Sequence, residues 1–124
     1  MRSKAQQTGF QVEQKALNYL KEQGLLHIAS NYRCNAGEID IIMQDRDNET
    51  RIFVEVRFRQ IGEYGDAAES VTRKKQSRII LAAKHYLQSE ELFDKVFCRF
   101  DVVAISEGKE PQIEWLKDAF WVKF

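Results

Sequence analysis

The chain is poor in the residues that punctuate or cross-link a fold. Its 124 residues include one proline, Pro111, and two cysteines, Cys34 and Cys98. The cysteines lack the paired spacing of a zinc site and read as reduced structural residues. No apolar run approaches the ~18 residues that cross a bilayer, so no membrane partner is expected. The stretch from Met1 to Gln7 is polar and lacks the apolar core of a signal peptide, which makes the cytoplasm the expected location. Repeats, low-complexity tracts and linkers are missing, as are a Gly-rich phosphate loop and a nucleophile elbow. There is no excess of charge either. Nineteen basic residues balance nineteen acidic ones, which counts against tight non-specific DNA binding through bulk charge.

What is present is an ordinary globular composition, 44% hydrophobic and 31% charged. The length suits one domain, residues 1–124, around a single core. The charge is unevenly spread. Arg57, Arg59, Arg73, Lys74, Lys75 and Arg78 crowd the middle of the chain, while Glu90, Glu91, Asp94, Glu107 and Glu110 collect later. A basic strip beside an acidic pocket suits a nuclease. For Lys74 and Arg78 taken alone, a solvated helix face is the better reading.

The expected order is helix, three strands, helix, strand, strand. A first helix runs to about Gln23 and is closed by Gly24. Ser3-x-x-Gln6 and Thr8-x-x-Gln11 both fit a capping box at its start. A strand follows from Leu25 to Arg33. A loop with Gly62 and Gly65 leads to a second helix near Val71–Gln88, capped by Ser70 or Thr72. Turns at Glu90–Lys95 and Glu107–Pro111 bracket a strand over Phe97–Ile105, and another strand spans Gln112–Lys117. The tail from Ala119 to Phe124 is too apolar to be loose and is expected to pack on the body or on a partner subunit. This pattern predicts an α/β fold, a mixed sheet with helices against it, in which the second helix crosses over to the fourth strand.

Gly37-Glu38-Ile39-Asp40-Ile41-Ile42 and Phe53-Val54-Glu55-Val56-Arg57-Phe58-Arg59 alternate with the period of a strand. One face carries Glu38 and Asp40, then Glu55, Arg57 and Arg59. The opposite face, Ile39, Ile41 and Met43 with Ile52, Val54, Val56 and Phe58, is expected core. A two-residue turn centred on Asp47-Asn48 makes paired residue numbers sum to ninety-five, so Asp40 lies opposite Glu55 and Glu38 opposite Arg57. Two carboxylates at about 4 Å repel by roughly 4 kcal/mol at an effective dielectric near 20. A hard cation such as Mg²⁺, held by one or two carboxylates plus waters and a phosphate, turns that repulsion into a binding site.

Other charged residues interrupt apolar stripes. Glu13 falls within the stripe of Phe10, Leu17 and Leu20 on the first helix. It is either a third acidic member of the site or a stripe edge that snorkels to solvent. Lys75 lies within Val71, Ile79, Ala82, Ala83 and Tyr86 on the second helix, with Gln76 beside it. They would meet a substrate phosphate or the attacking water near a helix N-terminus. The plainer alternative for Lys75 is a surface lysine whose stem covers apolar surface. Arg99 and Asp101 read first as a structural salt bridge and second as a phosphate contact. His27 and His85 read as structural.

Taken in order, these segments resemble the YraN family of small bacterial proteins. The resemblance rests on Glu13, Ala16 and Tyr19-Leu20, on Asn31-Tyr32-Arg33, and on Gly37-Glu38-Ile39-Asp40. It continues through Phe53-Val54-Glu55-Val56-Arg57-Phe58-Arg59, Gly65, Ser70-Val71-Thr72, Lys75-Gln76 and Arg99-Phe100-Asp101-Val102-Val103. That family looks like a branch of the restriction-endonuclease-like PD-(D/E)XK nucleases, similar to archaeal Holliday-junction resolvases. The resemblance implies a restriction-endonuclease-like fold with Asp40 and Glu55 as the motif carboxylates and Glu13 as the helix acid. It also implies Mg²⁺ or Mn²⁺ as cofactor and branched or structured DNA as partner. Arg57 stands where the motif has lysine. Arginine stays protonated and cannot act as a general base, although it can hold a phosphate.

The reading that follows is a metal-dependent endonuclease. Asp40, Glu55 and Glu13 would hold the metal, and Arg57 and Lys75 the scissile phosphate. Arg59, Arg73, Lys74, Gln76 and Arg78 would bind nucleic acid, Gln76 also positioning water. Cutting a junction symmetrically calls for a homodimer. The alternatives are an inactive DNA-binding adaptor on the same fold, favoured by Arg57 and the zero net charge, and a protein-interaction module using the Phe120-Trp121-Val122 tail.

Overall fold

The computed structural model describes residues 4–59, 71–106 and 112–121, with side chains from residue 9 onward. The elements run α1 (Lys4–Glu22), β1 (Leu26–Cys34), β2 (Gly37–Gln44), β3 (Arg51–Arg59), α2 (Arg73–Ser89), β4 (Cys98–Ser106) and β5 (Gln112–Phe120). The strands form one five-stranded sheet in sequence order. Only β3 and β4 pair in parallel, and α2 is the crossover between them. The expected Gly62–Gly65 loop, the Ser3 and Ser70 caps and the Glu107–Pro111 turn lie outside the described residues. Among those residues no helix is long and apolar enough to cross a membrane.

Local chemistry accounts for the helix ends. Gly24, at φ 96°, closes α1. Its N–H donates to Lys21 O at 3.0 Å, and Leu25 N–H donates to Leu20 O at 3.1 Å, the paired bonds of a left-handed helix stop. Leu20 and Leu25 are both buried, which locks the exit of the chain. Thr8 lies inside α1 and does not start it. At α2, Thr72 is the N-cap, its hydroxyl accepting from Lys75 N at 3.2 Å.

The sheet has a core on each face. Val12, Ala16, Leu17 and Leu20 of α1 pack on Ile41, Met43, Ile52, Val54, Val103 and Ile105. Ile79, Ala82, Ala83, Tyr86 and Leu87 of α2 pack on Ile39, Ile42, Phe53, Phe100 and Val102. Phe10 and Phe58, expected in the core, are 46% and 40% exposed. At the other end of the chain Ala119 and Phe120 of β5 pack on the body, whereas Trp121 is 69% exposed; the rest of the expected tail, residues 122–124, lies outside the described residues.

The β2–β3 register is the expected one over four pairs, from Gln44 with Arg51 to Ile41 with Val54. The turn is longer than expected. Asp45 N–H donates to Thr50 O at 3.0 Å, and the side chains of Asp45 and Asn48 accept from Asp47 N and Thr50 N. Beyond Ile41 the ladder stops. Asp40 and Glu55 are not backbone partners, and Val56 N–H donates instead to Asp40 Oδ2 at 2.8 Å. Nor does Glu38 meet Arg57. It pairs with Arg33 at 3.2 Å.

The simple alternation of β2 also fails at this point. Ile41 and Met43 face α1, but Ile39 joins Ile42 against α2. On the neighbouring strand Ala29 and Tyr32, three residues apart, both pack on the α2 side. Between them lies Asn31, at φ 54°. Ser30 pairs with Ile41 and Tyr32 with Ile39, which sets Asn31 against Asp40. The β1–β2 hairpin therefore turns over at the Asn31–Asp40 step. That twist carries β2 away from β3 and opens the gap in which the acidic side chains sit.

Candidate active site

Where β2 and β3 part, a cleft of about 450 Å³ is lined by Gly9, Val12, Glu13, Asp40, Glu55, Val56, Phe58 and Lys75. Four elements contribute: α1 brings Glu13, β2 Asp40, β3 Glu55 and α2 Lys75. The expected catalytic residues Glu13, Asp40, Glu55 and Lys75 thus converge. Arg57 is half-buried further along β3 and is not among the described lining residues.

All three carboxyls are displaced upward, each mainly by burial. Glu55 is only 3% exposed. Burial and then the charge of Asp40 raise it to about 7, although Lys75 acts in the opposite sense. The Asp40 carboxyl is also raised, burial outweighing its bond from Val56 N–H, and it shares a hydrogen bond with Glu55. Glu13 is raised by burial and by the charge of Asp40, opposed by a hydrogen bond from the Asn31 side chain. Lys75 Nζ lies 2.6 Å from Glu55 Oε1, and its side chain is 43% exposed. One half-exposed ammonium thus stands against a carboxyl cluster that burial keeps from ionising fully. Such clustering of displaced acids in a cleft is typical of functional sites.

Among the described residues no group of three or more His, Cys, Asp and Glu side chains is arranged to hold a metal ion. The Asp40–Glu55 pair alone nonetheless has suitable chemistry. It offers hard oxygen donors, desolvated and sharing a hydrogen bond, with a cation already drawn to one of them, and Mg²⁺ sites are commonly built on one or two carboxylates.

The remaining expected residues are scattered. Arg73, Lys74 and Arg78 are exposed on the first turns of α2. Gln76 Nε2 donates to Val71 O at 3.0 Å, which leaves its amide oxygen available. Arg59 Nη1 lies 3.4 Å from Glu114 Oε2, reaching across β4 to β5. Arg99 and Asp101 form the expected salt bridge at 3.0 Å. His85 Nδ1 and the Tyr32 hydroxyl share a hydrogen bond, and His27 bonds Ser30 Oγ at 2.9 Å. Contributors that were not expected include Asn31, through its bond to Glu13, and Phe58, which lines the pocket. A polar Asn amid β1 was the available signal for the first. Hydrophobicity alone gave none for the second.

A family profile described as Uncharacterised protein family UPF0102 matches residues 12–105. That stretch begins one residue before Glu13 and contains every residue of the pocket except Gly9. A UPF0102 protein of Nitrosococcus oceani is 50% identical over 116 residues, 93% of this chain and 92% of its own. One from Saccharophagus degradans is 48% identical over 118 residues, covering 95% and 96%. One from Coxiella burnetii is 43% identical over the full length of both chains.

Proposed function

The chain belongs to uncharacterised protein family UPF0102, and from the chemistry of its pocket we propose that it is a metal-dependent endonuclease hydrolysing phosphodiester bonds in structured or branched DNA. The observation that carries this is the Asp40–Glu55 pair, a half-buried and a buried acid both raised by burial, Glu55 further by the charge of Asp40, whose nearest cation is half-exposed. The reading places the chain with the restriction-endonuclease-like PD-(D/E)XK nucleases and near the Holliday-junction resolvases. Two strand carboxylates, a helix acid and a lysine meeting in one cleft support that placement.

Asp40 and Glu55 would hold Mg²⁺ or Mn²⁺, with Glu13 supporting directly or through water. A bound cation lowers the pKa of a water and offsets charge developing on the phosphate. Lys75 takes the part of the missing motif lysine from another element, since its ammonium already reaches Glu55. Arg57 holds phosphate and does not serve as a general base. Gln76, tethered through its amide nitrogen, presents its oxygen to orient a water. Arg59, Arg73, Lys74 and Arg78 contact flanking phosphates and add affinity without sequence information. The half-exposed ring of Phe58 at the pocket mouth favours unpaired bases, which stack on such a face. A cytoplasmic location and a homodimer for symmetric cutting belong to the same proposal.

A second reading, a DNA-binding adaptor without catalysis, is favoured by Arg57 at the motif lysine position and by its place outside the pocket lining. The test is cleavage of labelled four-way junction, flap, single-stranded and linear duplex DNA with Mg²⁺, Mn²⁺ or EDTA, alongside Glu55→Ala. Metal-dependent cutting lost in the variant supports the nuclease. Well-folded protein that cuts nothing supports the adaptor.

A further inference from the structure

The turn joining β1 to β2 faces the first turns of α2 across a second cleft, of about 490 Å³. Arg33, Lys74 and Arg78 line it, and Lys75 lines both this cleft and the acidic pocket, so the two adjoin. The one carboxylate among its described lining residues is Glu38. We propose that this cleft is a second phosphate subsite that grips the DNA backbone beside the reacting bond.

The cleft is built from both sides. A Cβ at Gly37 would lie 2.8 Å from Arg78 O and 3.0 Å from Arg78 Cβ. Only glycine lets the hairpin turn lie against α2, and that contact fixes how far apart the walls stand. Arg33 is held by Glu38 at 3.2 Å, with both side chains more than half exposed. Lys74 and Arg78 are exposed, and among the described residues neither has an ion-pair partner. Their charges are unspent and need little desolvation to meet a ligand. Thr72, the N-cap of α2, also lines the cleft, so the helix dipole has the same sign as the cations. Guanidinium forks fit phosphate oxygens two at a time. A strand whose scissile phosphate reached Lys75 would continue naturally onto Lys74, Arg78 and Arg33. Glu38 then acquires a role: it orients Arg33 when DNA is absent, and its charge opposes phosphate when DNA arrives.

This inference rests on the DNA reading of the acidic pocket but not on catalysis, so its test runs in EDTA. Binding of a labelled four-way junction is measured against salt for the unaltered protein, Lys74→Ala/Arg78→Ala and Glu38→Gln. In parallel, Cys34, half-buried in this cleft, is alkylated with N-ethylmaleimide with and without DNA. Cys98, exposed at the start of β4 and lining a different groove, is the internal control. The expected result is that DNA slows alkylation of Cys34 several-fold and leaves Cys98 unchanged. The double variant should flatten the slope of log affinity against log salt by about 2, and Glu38→Gln should bind more tightly.

If the junction binds and is cut in Mg²⁺ while Cys34 stays reactive and the variants match the unaltered protein, the subsite is wrong and the nuclease reading stands. Protection and a flattened slope without any cutting would keep the subsite and remove catalysis. Equal protection of Cys34 by inorganic phosphate at the same phosphate concentration would overturn the strand assignment in favour of a free-anion site.

Discussion

Asp101 and Glu55 are both acids buried in central strands of one sheet, and they are met by their surroundings in opposite ways. Asp101 is fully buried, yet both its oxygens are engaged. Arg99 grips them through Nε and Nη2, Trp115 Nε1 donates at 2.9 Å, and Asp118 N–H donates at 2.9 Å. Asp118 has φ 55° beside the irregularity in β4–β5 pairing, a bend that aims its N–H at the carboxylate. Glu55 has one half-exposed lysine and, as its next neighbour, another acid. The first arrangement is complete without a ligand and the second is not. Burial alone therefore does not mark a functional acid. The discriminating feature is the charge the fold leaves unanswered.

The largest effect expected from this contrast is on activity. Glu55→Gln and Asp40→Asn should each reduce cleavage by about 100-fold or more, while DNA binding is retained or improved because negative charge has gone. Asp101→Asn, assayed on the folded fraction, should cut at a rate near that of the unaltered protein. Single-turnover cleavage of the best substrate measures all three. Comparable losses at both sites would erase the distinction.

Stability should show the reverse order. Asp101→Ala leaves a half-buried Arg99 and two oriented donors without their acceptor, and should destabilise the fold by about 3–5 kcal/mol. Glu55→Gln keeps the volume and removes a carboxylate that burial disfavours, so it should be neutral or stabilising at neutral pH. Urea unfolding of both variants is the measurement. If Glu55→Gln proves the more damaging change, the Glu55–Lys75 pair is structural.

The contrast was only partly legible in the chain. The end of α1 could be read from Gly24, because a left-handed residue after an apolar stripe has few other uses. The register of β2 and β3 could be read from the turn centre, since the polar run is symmetric about it. The gathering of Glu13, Asp40, Glu55 and Lys75 followed from charged residues interrupting apolar stripes and strands. The turnover at Asn31–Asp40 was not legible, because alternation is a local rule and a single positive φ leaves no trace in it. The exposure of Phe10 and Phe58 was hidden for a related reason. Hydrophobicity says what would be buried if covered, and coverage is set by elements far away in sequence. The engagement of Lys75 with Glu55 joins a helix to a strand across the intervening segment, and no spacing encodes it.

The displaced acids predict a pH dependence of intermediate size. Glu55 lies at about 7, above its ordinary 4.5, so the folded chain holds a proton that the unfolded chain has released. Its contribution to stability is therefore greatest below about 4.5 and is lost as pH rises to about 7, by an amount of the order of 3 kcal/mol. The raised carboxyls of Asp40 and Glu13 act in the same sense. Glu55→Gln should remove much of this dependence, so the difference between the two unfolding curves across that window isolates it. Excess Mg²⁺ should flatten the curve of the unaltered protein by stabilising the ionised pair and releasing its proton. An identical pH profile in the variant would place the titrating group elsewhere.

The smallest expected effect concerns how the pocket is held. Asn31 does two things, keeping β1 at φ 54° where the hairpin turns over and hydrogen-bonding Glu13 in the direction that favours its charged form. Replacements separate the roles. Asn31→Gly tolerates the backbone and loses the side-chain bond, so Glu13 should titrate higher with little strain. Asn31→Ala loses the bond and meets the left-handed penalty of roughly 1–2 kcal/mol as well. NMR titration of the Glu13 carboxyl carbon reads the first role, and urea unfolding of the two variants reads the second. An upward displacement of Glu13 in both variants, with greater destabilisation only in Asn31→Ala, would show that one residue sets both the turn of the hairpin and the charge of the helix acid. If Glu13 titrates unchanged in both, Asn31 matters to the site only through the path of β1, and the incomplete satisfaction of this pocket is confined to Asp40 and Glu55.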